Sequence, residues 1–359
     1  MANAVNRKYG LIGAGMMGQE HVRSLQLVPG AELVCVADPH EGSRNWTALT
    51  LEQIKASANI YSDWQEMIGQ EQLDAVLVAT PNHTHHAIVT ELFETELAIM
   101  VEKPLCTTLE DAYDLHTHAM TRQAITDVGL EYRYMPPVTR FIERAHNGEA
   151  GPLRALSIRE HRFPFLDKIG DWNRFNRNTG GTLVEKCCHF FDLMRYILGQ
   201  EAVRVFASAG QDVNHLDERY DGVQPDILDN AFVIVDFDGG ARAVLDLCMF
   251  AEGSKEQEEI VVVGDTAKLE VALPSGMVVH SPRDKSGPFE EHVPVSPEIL
   301  AAGHHHGATV YHLRAFHEAL VSGAPAPVTT LDGLKSVEIG LAAQQSAARG
   351  EAVSLPLVG

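Results

Sequence analysis

The segment GGTLVEKCCHFFD, residues 180–192, combines side chains that could move a proton or bind a metal. Glu185 and His189 are four residues apart, so on a regular helix they would share one face. Histidine suits proton transfer because its unperturbed pKa is about 6.5, and a neighbouring carboxylate can fix its tautomer. A proton relay is therefore one interpretation of the pair, and it would suit an alcohol oxidation, in which a proton leaves oxygen while a hydride leaves carbon.

Two other interpretations of this segment stay open. Cys188 and Asp192 could add metal ligands, but zinc takes three or four ligands, and these side chains could not easily converge from one helix. The segment could also be a core helix with locally satisfied polar groups, because apolar side chains follow the pair: Phe190, Leu193, Met194, Ile197 and Leu198. We predict no metal site.

The run GAGMMG follows a short apolar strand, KYGLI, and opens a helical segment. The spacing of Gly13, Gly15 and Gly18 in this context is typical of a dinucleotide-binding turn. The first glycine permits the tight turn, the second lets the backbone approach a pyrophosphate, and the third lets the helix pack on the strand. The helix N-terminus supplies amide donors for phosphates, and we count Met16 and Met17 of the same turn among the cofactor-binding residues.

A carboxylate, Asp38, ends the second predicted strand, AELVCVAD. There it can accept hydrogen bonds from both ribose hydroxyls of the adenosine half and would repel a 2′-phosphate. The sequence therefore favours NAD as the cofactor. Arg44 is close enough in sequence to leave NADP open.

The elements around these residues divide the chain. Strands and helices alternate over residues 1–130, which predicts a Rossmann-type, doubly wound parallel sheet. Over residues 131–359 the pattern changes to an irregular stretch at 162–179, one helix at 180–198 and then strands joined by tight turns. This second half is predicted to be an α+β domain with an open, mainly antiparallel sheet.

The composition and net charge limit the kinds of molecule that the chain is expected to bind. The net charge is −21, which argues against nucleic acid or an anionic membrane as the main partner. No run approaches the roughly 18 apolar residues of a membrane helix, and the start of the chain leads directly into a strand, which predicts no signal peptide. The five cysteines suggest no disulfide framework. A cytoplasmic protein with a small-molecule substrate is the simplest expectation.

Three motifs in order carry a family resemblance: VEKP at 101–104, ATPNHTHH at 79–86 and GGTLVEKCCHFFDLMRYILG from Gly180. Together they resemble the glucose–fructose oxidoreductase / inositol dehydrogenase family, Gfo/Idh/MocA. The resemblance covers nearly the whole chain and implies NAD(P)-dependent oxidation of CH–OH groups. It also implies that the exposed face of the second sheet mediates dimers or tetramers.

The resemblance further implies roles for single residues. Lys103 would lie near the nicotinamide, His189 would be the general acid/base, and Glu185 would replace the usual aspartate. The residues expected along the cofactor are Thr80, Asn82, His85 and Glu102. Where the family often has Asn-Arg-Arg-Phe this chain has EYRY, and only Arg133 matches cleanly, as a substrate-binding candidate.

Substrate contacts are predicted at two further places. In the stretch 159–178, aromatic side chains are interspersed with basic and amide ones, a composition that suits the binding of a sugar or polyol. The substrate-binding candidates there are Arg162, Asp171, Trp172 and Asn173. The stretch could equally be an ordered lid or an oligomer contact. The resemblance implies that GHHHG at 303–307 approaches the active site, so His305 is the candidate there for substrate contact. The run could also be a chance metal binder or a helix start.

These observations predict an NAD-dependent dehydrogenase acting on a secondary alcohol of a sugar, cyclitol or sugar acid. Two alternatives remain. One is a glycosidase or epimerase that retains its NAD through each turnover. The other is a non-catalytic NAD-binding regulator, which the presence of both Lys103 and His189 disfavours.

Overall fold

The computed structural model describes residues 6–357, which form two compact units. The first unit contains the chain up to Tyr134 together with Ser296–Leu334, and the second contains Met135–Val295 and the chain from Lys335 onward. Residues 1–5, on which the expectation of no signal peptide partly rests, lie outside the described range. None of the helices within residues 6–357 combines the length and the hydrophobicity that a membrane-spanning segment requires.

The first unit is built on a six-stranded sheet in which every pair of neighbouring strands is parallel. Its order is β3-β2-β1-β4-β5-β6, so the direction of winding reverses between β1 and β4, where such folds bind their ligands. The predicted doubly wound sheet is confirmed. The strands are β1 Arg7–Ile12, β2 Ala31–Ala37, β3 Asn59–Tyr61, β4 Ala75–Val78, β5 Ala98–Val101 and β6 Thr126–Val128.

Five helices connect these strands. In the last of them the Thr108 side chain accepts a hydrogen bond from the Asp111 amide, which satisfies one of the helix's free N–H groups. The helices are α1 Met16–Leu25, α2 Glu41–Ile54, α3 Trp64–Gln70, α4 His85–Leu92 and α5 Leu109–Ala119.

The second unit contains a nine-stranded sheet of order β14-β13-β12-β11-β7-β10-β9-β8-β15. Neighbouring strands are antiparallel except β7 and β10, so the prediction of a mainly antiparallel sheet is confirmed. The strands are β7 Leu153–His161, β8 Ala202–Gly210, β9 Asn230–Phe237, β10 Arg242–Cys248, β11 Glu258–Gly264, β12 Ala267–Leu273, β13 Met277–Pro282, β14 Phe289–His292 and β15 Val353–Ser354.

The helices of this unit correct one prediction. The segment 180–198, predicted as one helix, forms two: α8 ends at Glu185 and α9 begins at Cys188. The helices before β8 are α6 Pro136–His146, α7 Asn176–Thr179, α8 Thr182–Glu185 and α9 Cys188–Leu198.

The segment after β14 returns to the first unit. It contains α10 Pro297–Leu300 and α11 Ala308–Ser322, and α11 inserts Leu313 and Phe316 into the same core cluster as Tyr9 and Leu11 of β1. The sequence division placed these residues with the second domain, whereas their contacts lie in the first unit. The next helix, α12 Thr330–Arg349, contributes its first residues to the first unit and the rest to the second.

Candidate active site

The glycine-rich turn between β1 and α1 leaves no room for side chains at two of its three glycines. A Cβ on Gly13, whose φ is +93°, would lie 2.5 Å from the Ala79 carbonyl oxygen, and a Cβ on Gly18 would lie 2.2 Å from that of Gly13. Nothing lies within 4 Å of a Cβ built on Gly15. The N-terminus of α1 therefore faces open space at Gly15, which fits a pyrophosphate bound by backbone amides.

Asp38 follows β2, is about nine-tenths buried and stabilises the glycine-rich turn through hydrogen bonds. Its carboxylate accepts hydrogen bonds from the amides of Ala14 (2.7 Å) and His40 (2.8 Å). Arg44 Nη1 donates to the carbonyl oxygens of Asp38 (2.9 Å) and Pro39 (2.8 Å). The carboxylate is thus held at the strand end where a ribose would be read, and the guanidinium stabilises the same backbone.

His85 connects the two family motifs that follow β4 and β5. Its buried ring lies between two backbone carbonyls, with Nδ1 2.9 Å from Pro104 O and Nε2 3.1 Å from Thr80 O. The Thr84 hydroxyl donates to Thr80 Oγ1 at 2.8 Å, and Asn82 is buried in the same turn. These contacts bring the predicted cofactor residues Thr80, Asn82 and His85 together beside the Lys103–Pro104 segment.

Glu102 is the partner of His21, a residue that the sequence analysis missed. His21 Nε2 lies 2.7 Å from Glu102 Oε1 in a buried pair, and Glu102 Oε2 accepts the Lys103 amide at 3.2 Å. Burial alone would raise the pKa of Glu102, but the hydrogen bond and charge of His21 lower it. Burial would likewise lower the pKa of His21, and Glu102 raises it. The pair fixes the backbone at Lys103, the predicted nicotinamide neighbour.

A second buried acid cluster lies in the same unit, around Thr309 at the start of α11. The Thr309 hydroxyl oxygen is 2.7 Å from Glu20 Oε1 and 2.6 Å from Glu131 Oε2. His305 Nδ1 lies 3.2 Å from Glu20 Oε1 and 3.3 Å from Glu131 Oε1. The structure therefore places His305, the predicted substrate contact, against two carboxylates that the sequence analysis did not select.

Hydrogen counting indicates an extra proton in this cluster. A threonine hydroxyl has one hydrogen, so it can donate to only one of its two carboxylate neighbours, and the other must donate to it. Glu131 is the better proton carrier, since burial and the charges of Glu20 and Glu102 raise its pKa, although the charge of His305 opposes this. Its place in EYRY, where the family often has asparagine, is the signal that could have singled it out.

The ligand atoms of Glu20, Glu131 and His305 lie within 4.8 Å of one another, a spacing that a metal ion could also bridge. The hydroxyl, imidazole and shared proton account for this geometry without an ion. The expected absence of a metal stays a prediction.

Arg133, predicted to bind substrate, is buried in the first unit with its Nη2 3.3 Å from Asp332 Oδ1. The next residue, Tyr134, stacks on His312 with ring centroids 4.5 Å apart, and His312 Nε2 lies 2.7 Å from Asp127 Oδ2. EYRY therefore ties the end of β6 to α11 and α12.

In the second unit, Glu185 and His189 lie on either side of the interruption between α8 and α9. The Cys187 amide donates to the Thr182 carbonyl, five residues back, at 3.3 Å, and the Phe190 amide donates to the Cys187 carbonyl, three residues back, at 2.9 Å. The helical hydrogen-bond pattern is therefore irregular between Glu185 and His189, although the backbone of the two residues after Glu185 stays in the right-handed helical region. The side chains of Glu185 and His189 are both buried.

The start of α8 is held by contacts within its unit. Gly180 and Gly181 have φ values of +79° and +88°, which favour glycine, and Gln344 of α12 donates to the Gly180 carbonyl. The Thr182 hydroxyl donates to Leu228 O at 2.6 Å. A Cβ on Gly340 would lie 2.4 Å from Leu183 O, so α12 packs closely on α8.

The stretch 162–179 is held both by contacts within it and by the segment 218–226. Arg174 Nε donates to Glu218 Oε2 at 3.1 Å, and the Asn176 backbone amide donates to Asp226 Oδ1 at 2.7 Å. Asn173 is buried and its side-chain amide donates to Leu166 O at 3.0 Å, while Arg162 stacks on the Phe163 ring, 4.3 Å from the centroid. Asp171 and Trp172 are half-buried. Of the four residues predicted here to bind substrate, Asn173 and Arg162 thus have internal structural contacts.

Two family profiles cover most of the chain. "Oxidoreductase family, NAD-binding Rossmann fold" matches residues 7–130, and "Oxidoreductase family, C-terminal alpha/beta domain" matches residues 143–355; both describe GFO_IDH_MocA. The chain belongs to this family. The resemblance found in the three motifs is therefore confirmed, and so are the oxidoreductase class and the NAD-binding domain.

Relatives of this Gfo/Idh/MocA oxidoreductase include scyllo-inositol 2-dehydrogenase (NAD(+)) of Bacillus subtilis, 27% identical over 96% of this chain and 95% of that protein. Myo-inositol 2-dehydrogenase of Thermotoga maritima is 26% identical over 97% and 98%. Among solved structures, an oxidoreductase domain protein from Kribbella flavida has a TM-score of 0.85 at 20% identity, covering 98% and 100% of the two chains. A levoglucosan dehydrogenase in complex with NADH has a TM-score of 0.85 at 19% identity over the same shares, which supports the fold.

Family membership does not test every expectation for this Gfo/Idh/MocA oxidoreductase. The roles of the individual site residues, the sequence division at residue 130, the oligomeric state and a cytoplasmic location stay predictions.

Proposed function

We propose that the chain is an NAD-dependent dehydrogenase that oxidises a secondary alcohol of a sugar, cyclitol or sugar acid. The observation that carries this proposal is Lys103, which follows β5 of the NAD-binding sheet and is fixed there by the buried Glu102–His21 pair. The inositol dehydrogenases among the relatives, each similar over nearly its full length, support the substrate class.

Different residues bind the cofactor and carry out the chemistry. Backbone amides at the start of α1 hold the pyrophosphate and Asp38 reads the adenosine ribose. When bound, NAD supplies the hydride acceptor, the C4 carbon of its nicotinamide. Lys103 hydrogen-bonds the substrate oxygen and stabilises its alkoxide character, while the imidazole of His189 takes the hydroxyl proton and Glu185 stabilises the resulting charge.

NADH formation by the purified protein tests this function. NAD and NADP are each supplied with a panel of inositols, aldoses and sugar acids, including phosphorylated and sulfonated ones. His189→Ala and Lys103→Ala are expected to lower turnover by roughly 10²- to 10⁴-fold, because each removes a group that assists proton transfer or charge stabilisation. Both variants should still bind NAD.

The matched control is His292→Ala, since His292 is an exposed histidine of the second unit, at the end of β14. It is expected to turn over like the wild type. Wild-type turnover that survives His189→Ala would refute the proposed base. No turnover across the panel, with NAD released on denaturation, would favour the enzyme class that retains its cofactor.

We also propose that the second unit forms dimers or tetramers through its sheet. Alternate residues of β8 and β9 leave large apolar side chains on one exposed face, with Phe206 41%, Phe232 60% and Ile234 47% accessible. Such a patch is typical of an interface. Light scattering should give a mass of two or four chains, and a monomer at micromolar concentration would contradict this.

A further inference from the structure

Lys186 lies inside the interruption between α8 and α9, directly after Glu185. Its side chain is buried, and its Nζ lies 2.8 Å from Glu160 Oε1 on β7. The same ammonium lies 5.4 Å from the ring centroid of Phe190, in the first turn of α9. One side chain therefore contacts both the sheet and the helix that carries His189.

The carboxylate that pairs with Lys186, that of Glu160, lies on an interior strand of the nine-stranded sheet. β7 has β11 and β10 as its neighbours in the nine-stranded sheet, and Glu160 is completely buried. Glu258 of β11 is directly opposite Glu160 and is also buried, and Arg162 Nη1 lies 3.6 Å from Glu160 Oε1. The ammonium is thus attached to the interior of the sheet.

Stability alone does not explain a buried ion pair of this kind. Removing two charges from water costs about as much as their attraction returns, so a hydrophobic pair of similar volume is often as stable or more stable. Burial lowers the pKa of Lys186, against the opposing effect of Glu160. The pair does fix the position of the Lys186 side chain, because its ammonium is held at one point of the sheet.

Resting on the proposed roles of Glu185 and His189, we propose that the Lys186–Glu160 ion pair is a positioning device that fixes the interruption between α8 and α9 and thereby the placement of His189 relative to Glu185. A one-residue change of helical register rotates side chains by about 100°. If the segment closed into one regular helix, the turns that now precede His189 would be lost.

The test compares variants in which Lys186 and Glu160 are both neutral or both charged. Lys186→Met alone leaves Glu160 without its lysine and could fail to fold, so the main variant is the double substitution Lys186→Met/Glu160→Gln, which replaces both charges by neutral side chains of similar size. Lys186→Arg keeps the positive charge. The matched control is Lys335→Met, because Lys335 forms a lysine–glutamate pair of 2.7 Å with buried Glu338 on α12 of the same unit.

We expect the double variant to unfold at nearly the wild-type temperature but to lose kcat by roughly 10- to 100-fold, the scale of an ångström-level misplacement. The KM for NAD should not change, because the glycine-rich turn lies in the first unit. Lys186→Arg should recover part of the lost kcat, and Lys335→Met should keep wild-type kcat. A double variant that is stable with unchanged kcat would overturn the proposal, and so would a kcat loss in Lys335→Met equal to that of the double variant.

A second readout does not require turnover. In protein labelled at its histidine rings, the His189 resonance, assigned by its loss in His189→Ala, should move in the double variant and return toward its wild-type position in Lys186→Arg. If the wild type oxidises no sugar but this resonance behaves as expected, the proposed function fails while the positioning role stands. If turnover is normal in the wild type and the resonance is the same in all variants, the positioning role fails alone.

Discussion

Two sets of buried charged side chains, one in each unit, have partners of different kinds. In the first unit, three buried carboxylates are matched by histidines and a hydroxyl: Glu20, Glu102 and Glu131 with His21, His305 and Thr309. In the second, Lys186 faces Glu160. Histidine can release its proton near neutral pH, whereas lysine does so far less readily. The histidine-matched pairs of the first unit can therefore exchange protons near neutral pH, whereas the Lys186–Glu160 pair keeps its charges.

The largest expected effect contrasts one carboxylate from each unit. Glu160→Ala should lower the free energy of unfolding by about 3–5 kcal/mol, because it leaves the Lys186 ammonium buried without its carboxylate. Glu102→Ala should cost less, about 1–3 kcal/mol, because His21 can become neutral. Urea unfolding at pH 7 measures both. Equal losses would mean that the two kinds of partner are equivalent here.

The next effect concerns pH. Burial, with the charge of Glu160, raises the pKa of Glu258 from 4.5 to about 7. Between these values the folded state holds a proton that the unfolded state has released, so the contribution of Glu258 to stability falls as pH rises, by about 3 kcal/mol in total.

Glu258→Gln should remove this slope between pH 4.5 and 7, as measured by urea unfolding at several pH values. Glu259→Gln is the control, since Glu259 is the half-exposed neighbour that pairs with Arg159 at 2.7 Å. A wild-type slope that persists in Glu258→Gln would assign the titration to another group.

The smallest effect is expected at Glu131. If it carries the shared proton, Glu131→Gln replaces one neutral donor by another and should change the free energy of unfolding by less than about 1 kcal/mol. Glu20→Gln should lower the free energy of unfolding more, because it replaces the carboxylate of the cluster that stays charged. Thermal unfolding with Zn²⁺ or with EDTA is the companion measurement, and a stabilisation by Zn²⁺ that Glu131→Gln abolishes would replace the shared proton by a metal ion.

Local patterns account for what the sequence predicted well. The alternating strands and helices before residue 130 and the mainly antiparallel strands after it agree with the observed sheets, because alternation and turn residues are short-range signals. The glycine-rich turn was recognisable for the same reason, since the spacing, the strand before it and the carboxylate after it are all close in sequence.

Non-local contacts account for the rest. The break between α8 and α9 was missed because the helical period of 180–198 carried no sign of it, and the contact of Lys186 with Glu160 on another element could not be read from the sequence. The contacts of Glu20 and Glu131 with Thr309 join three distant segments. His305 was selected because the family resemblance brings its region to the active site, and its carboxylate neighbours in space could not be read from GHHHG.

The return of α11 to the first unit has a consequence for synthesis. Leu313 and Phe316 belong to the core around Tyr9 and Leu11, so the dinucleotide-binding sheet lacks part of its interior until the last quarter of the chain has been translated. On the ribosome strands β7 to β14 of the second sheet emerge before that helix does. The unit that begins the chain is therefore completed only after most of the second unit has been translated, and a fragment that ends at residue 130 would leave this core open to water.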